Sequence, residues 1–586
     1  MKYRWSIAPS QPALAASLAK ELGVSPLLAQ CLLNRGHSEP DALGRFLEPR
    51  LRHLADPFAL PNMAAAVERL FAARERAEPL VIFGDYDVDG VTSTALLLEV
   101  LRALGWRADF YLPHRMDEGY GLSRDGVQNC LEKFPGTKLL LAVDCGSTAV
   151  ETIAWLNARG VDVLVLDHHQ VSDPPPAAHA LVNPQLAKQA VKGLSSEVCG
   201  LRSVVSDFTE LCSAGLAFKL AHALVKHGRD RQLAEFAAFD VRPLLDLVAL
   251  GTIADLVPLT GENRSLVTAG LERLNATRRP GLLALKSAAG IAGDIGTYEV
   301  GFQLGPRLNA AGRLENAAEA LQLLLAPDLA AAEPVARTLD ARNRERQQIE
   351  RTITDEVIGA VRSRFDPARD FVIVEGQLLW HIGVVGIVAS RVLREFYRPT
   401  LVLGGDAEQW RGSGRSIEGF DLAAALRECD DLLLRHGGHA MAAGVTIAPM
   451  NVGPFRERLN AIARRTLRPE QLQPTLKLDA EVTLRELTVE RLAELDRLAP
   501  TGMGNPALQF CAGGLRLHRP PLRMGKEQQH LKLHVTDGND VREAVWWNVP
   551  KNFTSPAGFA LAFTAEVNEF RGSRTVQLKV ADLRAE

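Results

Sequence analysis

The sequence lacks any uninterrupted apolar run near about 18 residues, so a membrane-spanning helix is not expected. Its opening, MKYRWSIAPSQPALAASLAKELG, has no apolar stretch of the kind a secretory signal needs. Cysteine is sparse and odd in number, seven in all, with no CxxC pair. That argues against a disulfide framework and a structural thiolate zinc, and for a reducing cytoplasm. Charge of one sign is lacking too. The formal net charge is −3, so any contact with nucleic acid must rest on local positive charge. No repeat or low-complexity tract occurs, which excludes fibrous and largely disordered chains. What is present is an ordinary globular balance, 47% hydrophobic and 23% charged, over 586 residues. That length predicts several domains.

Residues 1–50 read as a small helical cap. From Pro79, short apolar runs alternate with amphipathic stretches: Leu80–Phe83, Leu139–Val143 and Val161–Leu166. This is the pattern of βαβ units around a buried parallel sheet, expected over 51–328. Residues 329–365, rich in Arg, Glu, Gln and Ala, predict one long, mostly exposed connecting helix. A second, smaller α/β lobe is expected over 366–468, opening with Phe371–Val374. Alternating segments such as His530–Val535 predict a C-terminal β-barrel over 469–586. The fold class is therefore α/β, with a parallel-sheet lobe and a smaller α/β lobe joined by a long helix, followed by an OB-fold-like barrel.

Each apolar run ends in acidic residues. Asp85, Asp87 and Asp89 come after the first, Asp144 after the second, and Asp167-His168-His169 after the third. A later run, Leu247–Leu250, leads to Asp255 and is read as a further strand end. Ligands of an open parallel sheet bind beyond the carboxyl ends of its strands. So many carboxylates in one place call for cations. Oxygen donors with imidazole suit Mn²⁺ or Mg²⁺, and the number of donors suggests a pair of ions for phosphoryl transfer. A single Asp after a strand is usually a cap, but capping does not account for the whole set. A calcium loop is excluded because position 96 is Leu where Glu is required. Cys145 reads as a small buried hydrophobe.

These residues resemble the DHH phosphoesterase superfamily. Asp87 and Asp89, Asp144, Asp167-His168-His169 and Asp255 match its motifs in order. Further segments resemble its branch of single-stranded-DNA exonucleases: 247–255, 305–314, 380–391, 411–416 and 437–444. The resemblance names the lobes DHH and DHHA1. It implies one metal on Asp89, Asp144, His168 and Asp255. It implies a second on Asp87 and the bridging Asp144, with Asp85 a further candidate. His169 would point at the scissile phosphate, and Asp167 would belong to the catalytic set. Implied too are 5′→3′ release of mononucleotides from single strands, roles in recombination and repair, and a single-strand-binding protein as partner to a monomeric enzyme.

Phosphate contacts need guanidinium forks and exposed N–H groups. The candidates are Arg115, Arg307, Asn309, Arg313, Ser390, Arg391, Arg411, Ser413, Arg415 and His439. By resemblance Arg115 and Ser390 bind the 5′ phosphate and Tyr120 stacks on a base. Arg307 and Arg313 have few acidic neighbours in sequence. The last 76 residues hold 11 Lys and Arg against 8 Asp and Glu, and so carry what positive excess there is. With Trp546 and Trp547, one expected in the core and one outside, they suit an OB-fold gripping single strands. One departure stands out: Ser213 occupies a position where the family pattern has Gly, in a segment (188–213) longer than usual. The expectation is a surface loop that leaves the metal ligands untouched. The alternatives are a small-substrate phosphodiesterase of the same superfamily and a non-catalytic relative. The full set of acidic residues and the C-terminal barrel argue against them.

Overall fold

A computed structural model describes residues 3–114, 117–119, 121–192, 208–314, 316–549 and 553–586. The chain forms two compact units, one of residues 41–343 with 498–506, the other of 1–40, 344–497 and 507–586.

The first unit is built on a five-stranded sheet in the order Ala108–Tyr111, Leu80–Gly84, Leu139–Val143, Asp162–Leu166 and Ala180–Val182. Every pairing is parallel. Leu80–Gly84 and Leu139–Val143 are buried throughout, as expected of strands covered on both faces. Alternate side chains enter opposite cores, Leu80 and Ile82 one, Val81 and Phe83 the other. Gly84 pairs with Val143, and Val143 with Leu166. This register brings three strands to an end at one level. The next residues, Asp85, Asp144 and Asp167, therefore emerge together.

The apolar run before Asp255 is not a strand. Leu245–Ala254 is a helix, and Asp255 stands at its C-terminus. All its residues through Ile253 are buried, and a helix buried on every side shows the same unbroken apolar run as a buried strand. It packs on helix Val88–Ala103, as does helix Ser213–Asp230. A late segment joins this unit. The buried Arg264 guanidinium donates to the carbonyls of Phe46, Leu498, Ala499 and Pro500.

The chain passes between the units along helix Leu329–Arg362. Most of the helix is exposed, as expected, but each half carries buried positions. Ala332, Ala336 and Leu339 join the first unit's core, and Ile353, Val357 and Val361 a core of the second.

The second unit holds a mixed sheet in the order Leu433–Gly438, Ala442–Ile447, Trp410–Arg415, Thr400–Gly405, Ile373–Leu378. Only the last two strands pair in parallel. Its C-terminal part is a closed barrel. Phe510–Leu517 pairs with Phe559–Phe570, which pairs with Ser573–Ala585. Val541–Trp546 and His530–Thr536 continue the sheet, and the latter returns to Phe510–Leu517. The opening residues are not purely helical. Besides the helices Pro12–Leu22, Pro26–Leu33 and Pro40–Leu47 they form a strand, Arg4–Ile7, parallel to Thr475–Leu478. Among the described residues no helix is long and apolar enough to cross a membrane.

Candidate metal centre

The site begins with the turn after Leu80–Gly84. Asp87 caps helix Val88–Ala103, its Oδ1 accepting the N–H groups of Asp89 (2.9 Å) and Gly90 (3.1 Å). Gly90 is required, because a Cβ there would lie 2.5 Å from the Asp85 carbonyl oxygen. Asn309 Oδ1 accepts the Val88 N–H at 3.1 Å, so this expected substrate contact also braces the acidic turn. Asp144 has a left-handed backbone (φ 64°), a conformation that costs a non-glycine residue about 1 kcal/mol and concentrates at functional sites.

Among the described residues three overlapping donor groups result: Asp144 with His168 and His169, Asp89 with His168 and Asp255, and Asp85 with Asp87 and Asp144. Within each, the ligand atoms lie within 4.8 Å of one another. His168 Nε2 is 3.4 Å from Asp144 Oδ1, 3.5 Å from Asp255 Oδ2 and 3.9 Å from Asp89 Oδ2. Asp144 is shared by two groups, as a bridging ligand must be. The fold thus brings every expected ligand together.

Electrostatics tests whether cations fit. Burial, then the charges of Asp89, Asp87, Asp85 and Asp255, push the Asp144 carboxyl well above its usual range. Burial, then the charges of Asp89 and Asp87, raise Asp255 to about 9. Burial and Asp87 raise Asp89 to about 6, against the Ala214 N–H. Burial and the adjacent His169 lower His168 to about 4, keeping it a neutral donor. Among the described residues, His168 Nε2 and Asp255 Oδ2 are buried without a hydrogen-bond partner. Crowded carboxylates, a neutral imidazole and orphaned donor atoms fit divalent cations.

Asp167 stands outside these groups. Its Oδ1 is 2.7 Å from His169 Nδ1 and accepts the His169 N–H at 3.1 Å, while Oδ2 accepts the Ser147 N–H. It is therefore a positioning residue. Burial opposes the charge on His169, but the Asp167 contact prevails and raises the ring to about 9. The same contact holds Asp167 well below the usual carboxylate range despite its burial.

Some participants escape sequence reasoning. Asn183 donates to Ser147 Oγ and the His169 carbonyl, and Gln185 to the His168 carbonyl. They carry no motif. Ser213 corrects an expectation. It is fully buried, not in a surface loop, and its hydroxyl donates to Asp144 Oδ1 at 2.9 Å. The small residue is needed because the start of helix Ser213–Asp230 meets the carboxylates directly.

The expected phosphate contacts divide. Arg307 is not short of acidic neighbours, because Asp340, 33 residues on, pairs with it at 3.0 Å. Arg313 is half-buried. Arg115 and Tyr120 lie outside the described residues, as does most of the longer segment. In the second unit Arg391 pairs with the buried Glu350. Arg415 Nη1 donates to Ser413 Oγ at 2.8 Å, and a Cβ on Gly386 would lie 3.0 Å from that hydroxyl. Ser390, one turn on, donates to the Gly386 carbonyl. Arg411 and His439 are exposed. Trp546 is half-buried against Phe553, and Trp547 is 52% exposed with His530 at its edge. Cys145 is buried, its thiol pushed up by burial.

Family models match three stretches of the chain. The DHH family model (N-terminal domain) matches residues 79–252, the DHHA1 domain 369–465, and the RecJ OB domain 478–582. The single-stranded-DNA-specific exonuclease RecJ of Bacillus subtilis is 37% identical over 99% of this chain and 71% of its own length. That of Escherichia coli is 34% identical over 97% of each. The crystal structure of RecJ in complex with Mn²⁺ from Thermus thermophilus covers all of this chain and 80% of its own, with a TM-score of 0.82 and 30% identity.

Proposed function

We propose that this chain, which belongs to the RecJ family of single-stranded-DNA-specific exonucleases, hydrolyses single-stranded DNA at this centre with a pair of Mn²⁺ or Mg²⁺ ions. The observation that carries the reading is the sharing of Asp144 between adjacent donor groups. One ion would sit on Asp89, Asp144, His168 and Asp255, the other on Asp87 and Asp144 with Asp85 alongside. Bound there, the ions would supply Lewis acidity to the scissile phosphate and its leaving oxygen.

The chain's own groups do the rest. His169, which the Asp167 contact favours in its doubly protonated form, would donate from Nε2 to a phosphate oxygen while Asp167 holds Nδ1. Arg313 would add charge in the same unit. Arg115, Tyr120 and Ser390 would select the 5′ end, with Arg391, Arg411, Ser413, Arg415 and His439 on the strand's phosphates. The barrel would grip the strand through Trp547 and its cations. Release of 5′-mononucleotides in the 5′→3′ direction, a monomeric state, a cytoplasmic location and a single-strand-binding protein as partner belong to the same proposal and rest on the resemblance.

One oligonucleotide tests it in three forms: single strand labelled at the 5′ end, single strand labelled at the 3′ end, and duplex, each with Mn²⁺ or chelator. Immediate release of the 5′ label as a mononucleotide, from single strand only and with metal only, is expected. Hydrolysis of dinucleotides with long strands left intact would replace the reading by a small-substrate phosphodiesterase.

A further inference from the structure

Helix Ser213–Asp230 starts against the metal ligands. Its first backbone N–H groups take both oxygens of Asp89, Ser213 N reaching Oδ2 at 2.7 Å and Ala214 N reaching Oδ1 at 2.9 Å. The same residue's side chain turns to the neighbouring carboxylate. Ser213 Oγ donates to Asp144 Oδ1 at 2.9 Å, and both residues are buried. His168 Nε2 faces the same oxygen at 3.4 Å. Ser213 thus holds one ligand through its backbone and a second through its hydroxyl.

Holding Asp144 matters more than holding another ligand. It belongs to two donor groups at once, so a rotation about its χ angles would disturb both. Its left-handed backbone also departs from that of the strand before it, so the sheet does not by itself set where the carboxylate points. A hydroxyl that neither ligates metal nor reaches solvent can still fix which lone pairs remain for the ions. Partners of this kind, one bond beyond the ligands, typically carry about a 10–100-fold effect on metal affinity.

We propose that Ser213 is a positioning residue of the metal centre, its hydroxyl locking the Asp144 carboxylate in the orientation that presents it to both ions. The inference rests on the two-ion reading of the centre. Glycine or alanine at this position keeps the backbone contacts to Asp89 and removes only the lock. The centre then assembles with a less ordered bridge and needs more metal to fill.

The test is titration calorimetry of Mn²⁺ into the metal-free full-length protein, its Ser213→Ala variant and its Ser213→Gly variant, with melting midpoints of all three in chelator. The proposal expects Mn²⁺ affinity to fall about tenfold in both variants, with metal-free melting midpoints unchanged. Mn²⁺ binding by either variant as tightly as by the unaltered protein would overturn it. So would an affinity loss matched by a clear fall in the metal-free midpoint of both variants, since that would assign Ser213 to packing. Failure of the unaltered protein to bind Mn²⁺ would instead defeat the two-ion reading itself, and this inference with it.

Discussion

Asp167 Oδ1 lies 2.7 Å from His169 Nδ1 and also accepts that residue's backbone N–H, so a single carboxylate oxygen fixes both the ring and the chain of the histidine. The pair is separate from the metal-donor groups in one respect: Asp167 contributes to none of them. Asp167→Asn should therefore reduce turnover without loss of metal. The amide keeps an oxygen for the backbone N–H but no longer carries the charge that keeps His169 protonated. A fall in kcat of about 100-fold is expected, with Mn²⁺ affinity within about a factor of three. Steady-state nucleotide release and calorimetry on the same preparation check it. Loss of metal binding in this variant would place Asp167 among the ligands.

Asp144→Ala removes the residue common to adjacent donor groups. Turnover should fall by about 10³-fold or more, because neither ion keeps its ligand set. Binding of single strands by the barrel should persist. Release of labelled nucleotide and strand binding by fluorescence anisotropy separate the two effects. Activity retained in this variant would refute a shared, bridging ligand.

Much of this centre is legible in sequence because a parallel sheet writes its register plainly. Buried strands appear as apolar runs, and level strand ends place Asp85, Asp144 and Asp167 side by side. Asp255 is legible as a ligand but not in its setting, since a wholly buried helix and a buried strand share one pattern. Arg307 looks free of acidic neighbours because its partner, Asp340, lies on the long connecting helix. Ser213 is visible only as an oddity. Its meaning depends on how closely a helix start approaches two carboxylates, which periodicity does not encode. The opening strand Arg4–Ile7 is missed for a related reason: its partner, Thr475–Leu478, comes more than 460 residues later.

Metal-free stability should depend on pH. Asp255 is raised to about 9 and His169 to about 9, each above its unfolded value. A group raised in this way stabilises the fold fully below its unfolded pKa and loses that contribution as pH rises through the folded one. Both therefore weaken the metal-free protein between about pH 6.5 and 9. In chelator the melting midpoint should fall across that window. With saturating Mn²⁺ the fall should largely vanish, because the ions take over the neutralisation of the carboxylates. A metal-free midpoint that rises from pH 6.5 to 9 would contradict the burial of these charges.

Strand binding should be electrostatic in its salt dependence and aromatic in its core. The barrel presents Trp547, 52% exposed, against the edge of His530. Lys532, by contrast, is tied to Glu543 at 2.7 Å, so it contributes less charge to a bound phosphate than an unpaired lysine would. Trp547→Ala should weaken single-strand binding by about 1–3 kcal/mol, the worth of one stacked base. Lys532→Ala should cost less than that. Both variants should hydrolyse a dinucleotide at the unaltered rate, since so short a substrate needs no grip from the barrel. For all forms log affinity should fall linearly with log salt, by about 0.7 per phosphate contact. Anisotropy titrations with a labelled single strand at several salt concentrations measure both effects. If Trp547→Ala binds as tightly as the unaltered protein, base stacking at this face is excluded, and the barrel's hold must come from phosphate contacts alone.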